Sequence, residues 1–205
     1  MSAPFHAFRS AVLPLLRDDV DTDQIIPARF LKVVDRDGMG AGLFADWRYD
    51  RLGAPRPEFV LNDPSMEGRH ILLAGANFGC GSSREHAAWA LAGWGIRAVV
   101  APSFADIFRA NALKNGLLPI ALDPPALARL ERAVAADPGV EITVDLDGQT
   151  IDLPDRERLE FEVDPFSRSM LLAGTDELGY LRSFEDRIVA FDEQLAGLRP
   201  TTLPN

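Results

Sequence analysis

Three short apolar runs, separated by two stretches of helical character, constrain the fold of this chain more than any other feature. The runs occupy residues 71–74, 98–101 and 117–122, and residues 84–92 and 104–113 between them predict helices. Strands that alternate with helices through short connections predict a parallel sheet with right-handed crossovers. We expect the active edge of this sheet at the turn that follows residues 71–74.

The flanking regions extend this core into a single mixed α/β domain over residues 1–205, since no linker divides the chain. Apart from a strand at residues 8–16, residues 1–70 are rich in turn-forming glycine, proline and aspartate. A loop of this length predicts a binding segment or a surface that a partner covers.

The C-terminal part predicts further helices and strands around the same sheet. We expect an antiparallel, half-exposed strand pair at residues 140–146 and 159–163, and helices at residues 124–136, 166–172 and 184–195.

Charge and cysteine content exclude several classes of function. The chain carries 21 basic and 31 acidic residues, a net charge of −10, which repels nucleic acid and anionic lipid. Its one cysteine, Cys80, cannot form an internal disulfide and cannot alone hold an iron–sulfur cluster or a zinc site. The N-terminus shows no secretory pattern, and the longest apolar stretch, residues 87–96, is half of what spans a bilayer. These features predict a cytoplasmic protein.

Residues 77–86, Asn-Phe-Gly-Cys-Gly-Ser-Ser-Arg-Glu-His, predict a strand-to-helix turn that binds an anion. Two glycines let the backbone approach a ligand, and the start of the next helix offers N–H groups to a negative charge. Ser82, Ser83 and Arg84 add two hydroxyls and a bidentate cation, which suits a carboxylate or a phosphate. A purely structural interpretation makes Ser82 or Ser83 the helix N-cap.

Other interpretations of this turn remain open from the residues alone. Arg84 replaces the third glycine of a dinucleotide fingerprint, and neither a phosphate-binding P-loop motif nor a Gly-x-Ser-x-Gly elbow is present. His86 follows Ser82 by four residues and would share its helix face, although no aspartate is placed to orient the imidazole. Cys80 is either a thiolate with a lowered pKa or a small buried hydrophobe.

A second candidate stretch runs from residue 21 to residue 32. Asp21, Thr22 and Asp23 are typical turn and cap residues, and this structural interpretation is the stronger one on physical grounds. In the functional interpretation, Asp23 binds a basic or hydroxyl group in the site, and Phe30 and Leu31 form an apolar wall.

The turn, preceded by Asn77-Phe-Gly-Cys80, resembles the swivel-domain signature of the aconitase superfamily. The order of several motifs is similar to one branch, the small subunits of bacterial 3-isopropylmalate dehydratase. These motifs are DTDQIIPARFL from Asp21, LFADWRY from Leu43, FVLN from Phe59, APSFADIF from Ala101 and NGLLP from Asn115. The resemblance implies a swivelling β/β/α domain.

The resemblance also implies an activity and a set of roles. Enzymes of this family are hydro-lyases of leucine biosynthesis, which interconvert 2-isopropylmalate and 3-isopropylmalate by dehydration and rehydration. It implies that Ser82 is the catalytic base, acting as an alkoxide, and that Arg84 holds a substrate carboxylate with help from Ser83. Asp23 matches an acidic position of the family's first motif.

The same resemblance implies a partner. The large subunit of the family holds a 4Fe–4S cluster, one iron of which binds the substrate hydroxyl and carboxylate as a Lewis acid. We therefore expect no cofactor on this chain, and activity only in a heterodimer or heterotetramer with the large subunit.

Several alternatives stay open at this point. Aconitase itself is a single longer chain with glutamate at the position of Cys80, which argues against plain aconitase activity. Related dehydratases act on citramalate, methylmalate or dimethylmalate, and Phe30, Leu31 and residues 33–43 are our candidates for distinguishing these substrates. A self-sufficient serine or cysteine hydrolase, or an anion-binding module without catalysis, would be a function of another class.

Overall fold

The computed structural model describes residues 3–32, 38–182 and 184–198. Its seven strands are β1 (Phe8–Leu15), β2 (Ile71–Ala74), β3 (Ala98–Ala101), β4 (Leu118–Ala121), β5 (Glu141–Asp145), β6 (Thr150–Asp152) and β7 (Arg158–Glu160). The α-helices within these ranges are α1 (Thr22–Ile25), α2 (Ala45–Arg48), α3 (Glu85–Trp94), α4 (Asp106–Lys114), α5 (Pro124–Ala136), α6 (Pro165–Ala173), α7 (Glu177–Arg182) and α8 (Glu185–Leu198).

The strands form one mixed sheet in the order β4-β3-β2-β1-β5-β6-β7. Strands β1 to β4 pair in parallel, while β5 runs antiparallel to β1 and the pairs β5–β6 and β6–β7 are antiparallel. The predicted strand–helix–strand–helix–strand core is confirmed as β2-α3-β3-α4-β4, and so is the mixed α/β class.

The predicted pairing of residues 140–146 with residues 159–163 is wrong. Strand β6 lies between β5 and β7 and pairs with both of them. Because β6 has only three residues, it is too short to show the alternation of polar and apolar positions by which strands are recognised. The short helix α7 was not predicted either, and the helices predicted at residues 166–172 and 184–195 are confirmed with longer bounds.

Strands β2 and β3 are buried on both faces, whereas alternate residues of β5 and β7 are partly or fully exposed, as predicted for half-exposed strands. In β2, Ile71 and Leu73 belong to one apolar cluster and Leu72 and Ala74 to the other, as expected when successive side chains point to opposite faces. This explains why the first strand of the core reads as a continuous apolar run rather than an alternating one.

The N-terminal region is not the loop that its turn residues predict. It contains α1, α2 and 3-10 turns at Ala28–Lys32, Met39–Gly42, Val60–Asn62 and Pro64–Met66. Ile25, Leu43, Phe44 and Phe59 of this region are buried and pack with α3 over one face of the sheet. The long irregular stretch therefore covers part of the core of this chain and brings α1 beside the start of α3.

No helix in the described ranges is both long enough and apolar enough to cross a membrane.

Candidate active site

The turn between β2 and α3 is held against α4 by a close backbone approach at Gly79. This residue has φ of +79°, and a Cβ atom at its position would lie 2.2 Å from Cγ of Phe108. Phe78, just before it, is fully buried and packs edge-to-face on Phe108 with ring centroids 5.2 Å apart. Glycine is thus required at this point of the turn for both conformation and space.

The other side of the turn is joined to α1 by hydrogen bonds. The Gly79 N–H donates to the Val20 carbonyl at 2.7 Å, and the Thr22 N–H donates to the Cys80 carbonyl at 2.9 Å. The Thr22 hydroxyl donates to the Ser82 carbonyl at 2.9 Å. Two motifs about sixty residues apart in the chain, residues 20–23 and residues 79–84, are therefore in contact. We call this region the corner.

Helix α1 is fixed by a reciprocal cap. The Asp21 carboxylate accepts from the Gln24 N–H at 2.8 Å, and the Gln24 side-chain oxygen accepts from the Asp21 N–H at 3.0 Å. The structural interpretation of Asp21 as a cap is confirmed. The cap places Thr22 and Asp23 in the first turn of α1, from which both reach the corner.

Asp23 and Arg84 form an ion pair across the corner. The Arg84 side chain is 16% exposed and the Asp23 side chain 52% exposed, so the cation lies deeper than its partner. The expectation that Asp23 binds a basic group is met in this contact. Whether the pair binds substrate stays a prediction.

The predicted N-cap at Ser82 or Ser83 is wrong. Helix α3 begins at Glu85, and Arg84 is its cap residue with φ of −130° and ψ of 107° and without a capping side chain. The hydrogen bond from Thr22 and the φ of +90° at Gly81 keep residues 82–84 outside the helix. As a result both serines are exposed and neither hydroxyl caps α3.

This geometry also changes the expectations for His86 and Cys80. The prediction that Ser82 and His86 share a helix face is wrong, because Ser82 lies outside the helix. The His86 imidazole packs on the Trp89 ring, with ring centroids 4.6 Å apart. Burial raises the pKa of the Cys80 thiol, and the carboxylates of Asp21 and Asp19 raise it further. The prediction of a thiolate with a lowered pKa at Cys80 is therefore wrong. The Cys80 side chain is half-buried.

Phe30 and Leu31 lie in the 3-10 turn that follows α1, and both are half-buried. Phe30 lines a cavity of about 490 Å³ together with Arg29, Asp46 and Tyr49, and neither serine nor Arg84 is part of that lining. The role of Phe30 and Leu31 as an apolar wall of the site stays a prediction. Residues 33–37 of the candidate specificity segment lie outside the described residues.

Thr22 is the residue of the corner whose contact the sequence did not predict. Its side chain is 1% exposed and its partner is sixty residues away in the chain. The motif signals a turn, but no local pattern tells that a threonine hydroxyl donates to a distant carbonyl.

In the described part of the chain, no three histidine, cysteine, aspartate or glutamate side chains are grouped so that they could hold a metal ion.

Comparison with known proteins shows similarity along most of the chain. Residues 3–125 match the family described as Aconitase C-terminal domain, and residues 128–165 match the family described as LeuD_N. The 3-isopropylmalate dehydratase small subunit of Anaeromyxobacter dehalogenans is 54% identical over 189 residues, which cover 92% of this chain and 97% of that protein. The protein of the same name from Chloroflexus aurantiacus is 53% identical over 184 residues and covers 90% of each chain.

A solved structure is similar as well. The crystal structure of 3-isopropylmalate dehydratase from Methanocaldococcus jannaschii aligns with a TM-score of 0.63 and 28% identity, over 91% of this chain and 99% of that chain. The resemblance and the fold drawn from the sequence motifs are thereby confirmed.

Proposed function

The chain belongs to the family of 3-isopropylmalate dehydratase small subunits, enzyme subunits of the aconitase superfamily, and on that premise we propose how it acts. As one swivel domain over residues 1–205, it joins a large subunit in the cytoplasm as a heterodimer or heterotetramer. The complex isomerises 2-isopropylmalate and 3-isopropylmalate by dehydration and rehydration, and this chain alone is inactive.

The observation that carries the proposal is the open corner at the start of α3. Ser82 and Ser83 are exposed there, and the Arg84 side chain stands beside them in an ion pair with Asp23. The chain carries −10 overall, so a local cation and helix N–H groups are what can attract a dicarboxylate to it.

Ser82 is the proposed catalytic base. Its deprotonated Oγ takes the proton from the carbon next to a substrate carboxylate. The electron pair of that C–H bond forms the carbon–carbon double bond as the hydroxyl leaves the neighbouring carbon. Rehydration that places the proton on the neighbouring carbon and the hydroxyl on the first carbon gives the isomer, whereas the original placement returns the starting acid. The Arg84 guanidinium and the positive end of α3 favour the alkoxide because both stabilise negative charge, and docking of the large subunit would close the site from water and strengthen this effect.

Arg84 and Ser83 are the proposed ligands of a substrate carboxylate. A guanidinium presents several N–H donors in one plane, so Arg84 can keep its contact with Asp23 and still donate to a substrate oxygen. The ion pair with Asp23 already restrains the Arg84 side chain. Arg84 therefore loses less rotamer entropy when it binds the substrate carboxylate.

The cluster of the family belongs to the proposed large subunit. The residues of this chain do not fit such a group, because Cys80 is its only cysteine and Fe–S clusters are held by several thiolates. In the large subunit the cluster would supply a Lewis acid for the substrate hydroxyl.

Phe30 and Leu31 are proposed to contact the alkyl substituent of the substrate. They follow directly on α1, which carries Asp23, and docking of the large subunit would complete the apolar wall. Small pockets discriminate by only about 1–3 kcal/mol per methylene, so citramalate, methylmalate and dimethylmalate are the alternative substrates.

Reconstitution tests the proposed function. The chain is expressed with the large subunit from the same genome, and formation of the unsaturated diacid from 2-isopropylmalate is followed by ultraviolet absorbance. We expect turnover from the complex and none from either subunit alone, with isopropylmalate preferred over citramalate and dimethylmalate. Turnover by this chain alone, or a complex that prefers another malate, would contradict the proposal.

Substitution of Arg84→Lys is expected to raise KM about 10- to 100-fold with a smaller change in kcat. Loss of one hydrogen bond to a charged group costs about 1.5–3 kcal/mol, and an ammonium cannot hold Asp23 and a carboxylate in the same plane. Steady-state kinetics of the reconstituted enzyme measure the effect. Arg158→Lys is the matched control, because Arg158 also holds a carboxylate, that of Asp152, at 2.6 Å on the far strand β7. An unchanged KM in the Arg84 variant would remove this residue from substrate binding.

A further inference from the structure

We infer that Thr22 is a positioning residue, which holds the peptide between Ser82 and Ser83 in the orientation that the reaction needs. The inference rests on the proposed function, because it concerns turnover only if these serines act on substrate.

The contacts of Thr22 lie on both sides of the most adaptable residue of the corner. Its N–H donates to the Cys80 carbonyl and its hydroxyl donates to the Ser82 carbonyl, each at 2.9 Å. Gly81, between these carbonyls, has φ of +90°. Glycine adopts positive and negative φ values about equally, so Gly81 alone does not fix this conformation. Two hydrogen bonds from one buried residue therefore fix a segment that would otherwise have several backbone conformations.

The orientation of the Ser82–Ser83 peptide follows from the bond to its carbonyl. The described peptides are trans, and in a trans peptide the C=O and N–H groups point in opposite directions. Because the carbonyl is directed at the buried Thr22 hydroxyl, the Ser83 N–H is directed away from α1. Within the described ranges this N–H has no hydrogen-bond acceptor in the protein, and Ser83 is exposed.

This arrangement gives the corner a backbone donor next to the catalytic base. A substrate carboxylate that contacts Arg84 would meet the Ser83 N–H on the same turn, and the peptide that aims this N–H also carries the Cα of Ser82. A change in its plane displaces the base and the donor together.

A structural role alone would have a different signature, and Ser10 provides the comparison. Ser10 in β1 is 4% exposed; its hydroxyl donates to the Ala11 carbonyl and accepts from the His70 N–H, each at 2.8 Å. Removal of either buried hydroxyl leaves unpaired polar groups and lowers stability. Removal of the Thr22 hydroxyl should also lower kcat, whereas removal of the Ser10 hydroxyl should lower stability alone.

The experiment compares three variants, Thr22→Val, Thr22→Ser and Ser10→Ala, in the complex with the large subunit and with 2-isopropylmalate. Thr22→Val keeps the shape and removes the donor, and we expect kcat to fall about 10- to 100-fold, since small displacements of reacting groups have effects of this size. Thr22→Ser restores the hydroxyl and should keep kcat within about threefold of wild type. Ser10→Ala should lower Tm but keep kcat within about twofold.

Three results would overturn the inference. These are a kcat of Thr22→Val within about threefold of wild type, a loss in Thr22→Ser as large as in Thr22→Val, or an equal loss in Ser10→Ala at matched Tm. Ser82→Ala, measured in parallel, separates this failure from that of the proposed function. If Ser82→Ala is inactive while Thr22→Val is fully active, only the inference falls; if Ser82→Ala is active, the proposed role of Ser82 falls first.

Discussion

Ser82→Ala is expected to lower kcat of the reconstituted enzyme by about 10³-fold or more, with little change in assembly. A positioned general base contributes about 10²- to 10⁴-fold, and this base also depends on the field of Arg84 and α3 for its ionised state. The Ser82 hydroxyl caps no helix, and the hydrogen bond from Thr22 uses the carbonyl, which alanine retains. Stability should therefore change little while turnover is lost.

Two measurements separate loss of chemistry from loss of structure. Co-elution of the variant with the large subunit on size exclusion, together with an unchanged Tm, shows that the complex is intact. Ser169→Ala is the control, since Ser169 is another exposed serine, whose hydroxyl donates to the Pro165 carbonyl at 2.8 Å on α6. It should keep wild-type kcat, and turnover of Ser82→Ala near that level would exclude Ser82 as the base.

The core of the fold was predictable because its signals are local. Residues 71–74 and 98–101 are apolar runs whose bounds the structure reproduces, and the helix predicted at residues 124–136 has the bounds of α5. Strand β6 and the packing of residues 38–62 were not predictable, because both depend on what the rest of the chain places beside them. A three-residue strand exists by virtue of its two neighbours rather than by its own pattern.

The candidate site shows the same division. Asp23, Ser82 and Arg84 each lie in a contiguous motif, so they can be proposed as site residues before any contact is known. The error at the N-cap of α3 has a tertiary cause, since a serine before a helix normally caps it and here Thr22 binds the Ser82 carbonyl instead. The pKa of Cys80 is another tertiary property: nearness to α3 predicts a lower value, and burial beside Asp21 raises it.

Gly79→Ala is expected to lower the free energy of unfolding by about 2–5 kcal/mol. The left-handed φ of +79° costs a residue with a Cβ about 1–2 kcal/mol, and overpacking adds about 1–3 kcal/mol. The new atom would lie 2.2 Å from Cγ and 2.4 Å from Cβ of Phe108. These atoms are next to the backbone of α4 and Phe108 is 1% exposed, so relief requires a movement of the helix rather than of a side-chain end.

Gly68→Ala isolates the part of this cost that comes from conformation. Gly68 has φ of +75°, but a Cβ there would have no atom within 4 Å. The free energy of unfolding of Gly68→Ala should therefore fall only by the backbone cost of about 1–2 kcal/mol. Urea unfolding followed by circular dichroism measures both variants, with equal m values required for the comparison. A movement of α4 would also carry the turn before α3 away from α1, so residual Gly79→Ala complex should turn over slowly even where it is folded. If Gly79→Ala is no less stable than Gly68→Ala, the contact with Phe108 does not fix the corner, and the geometry that presents Ser82 must have another origin.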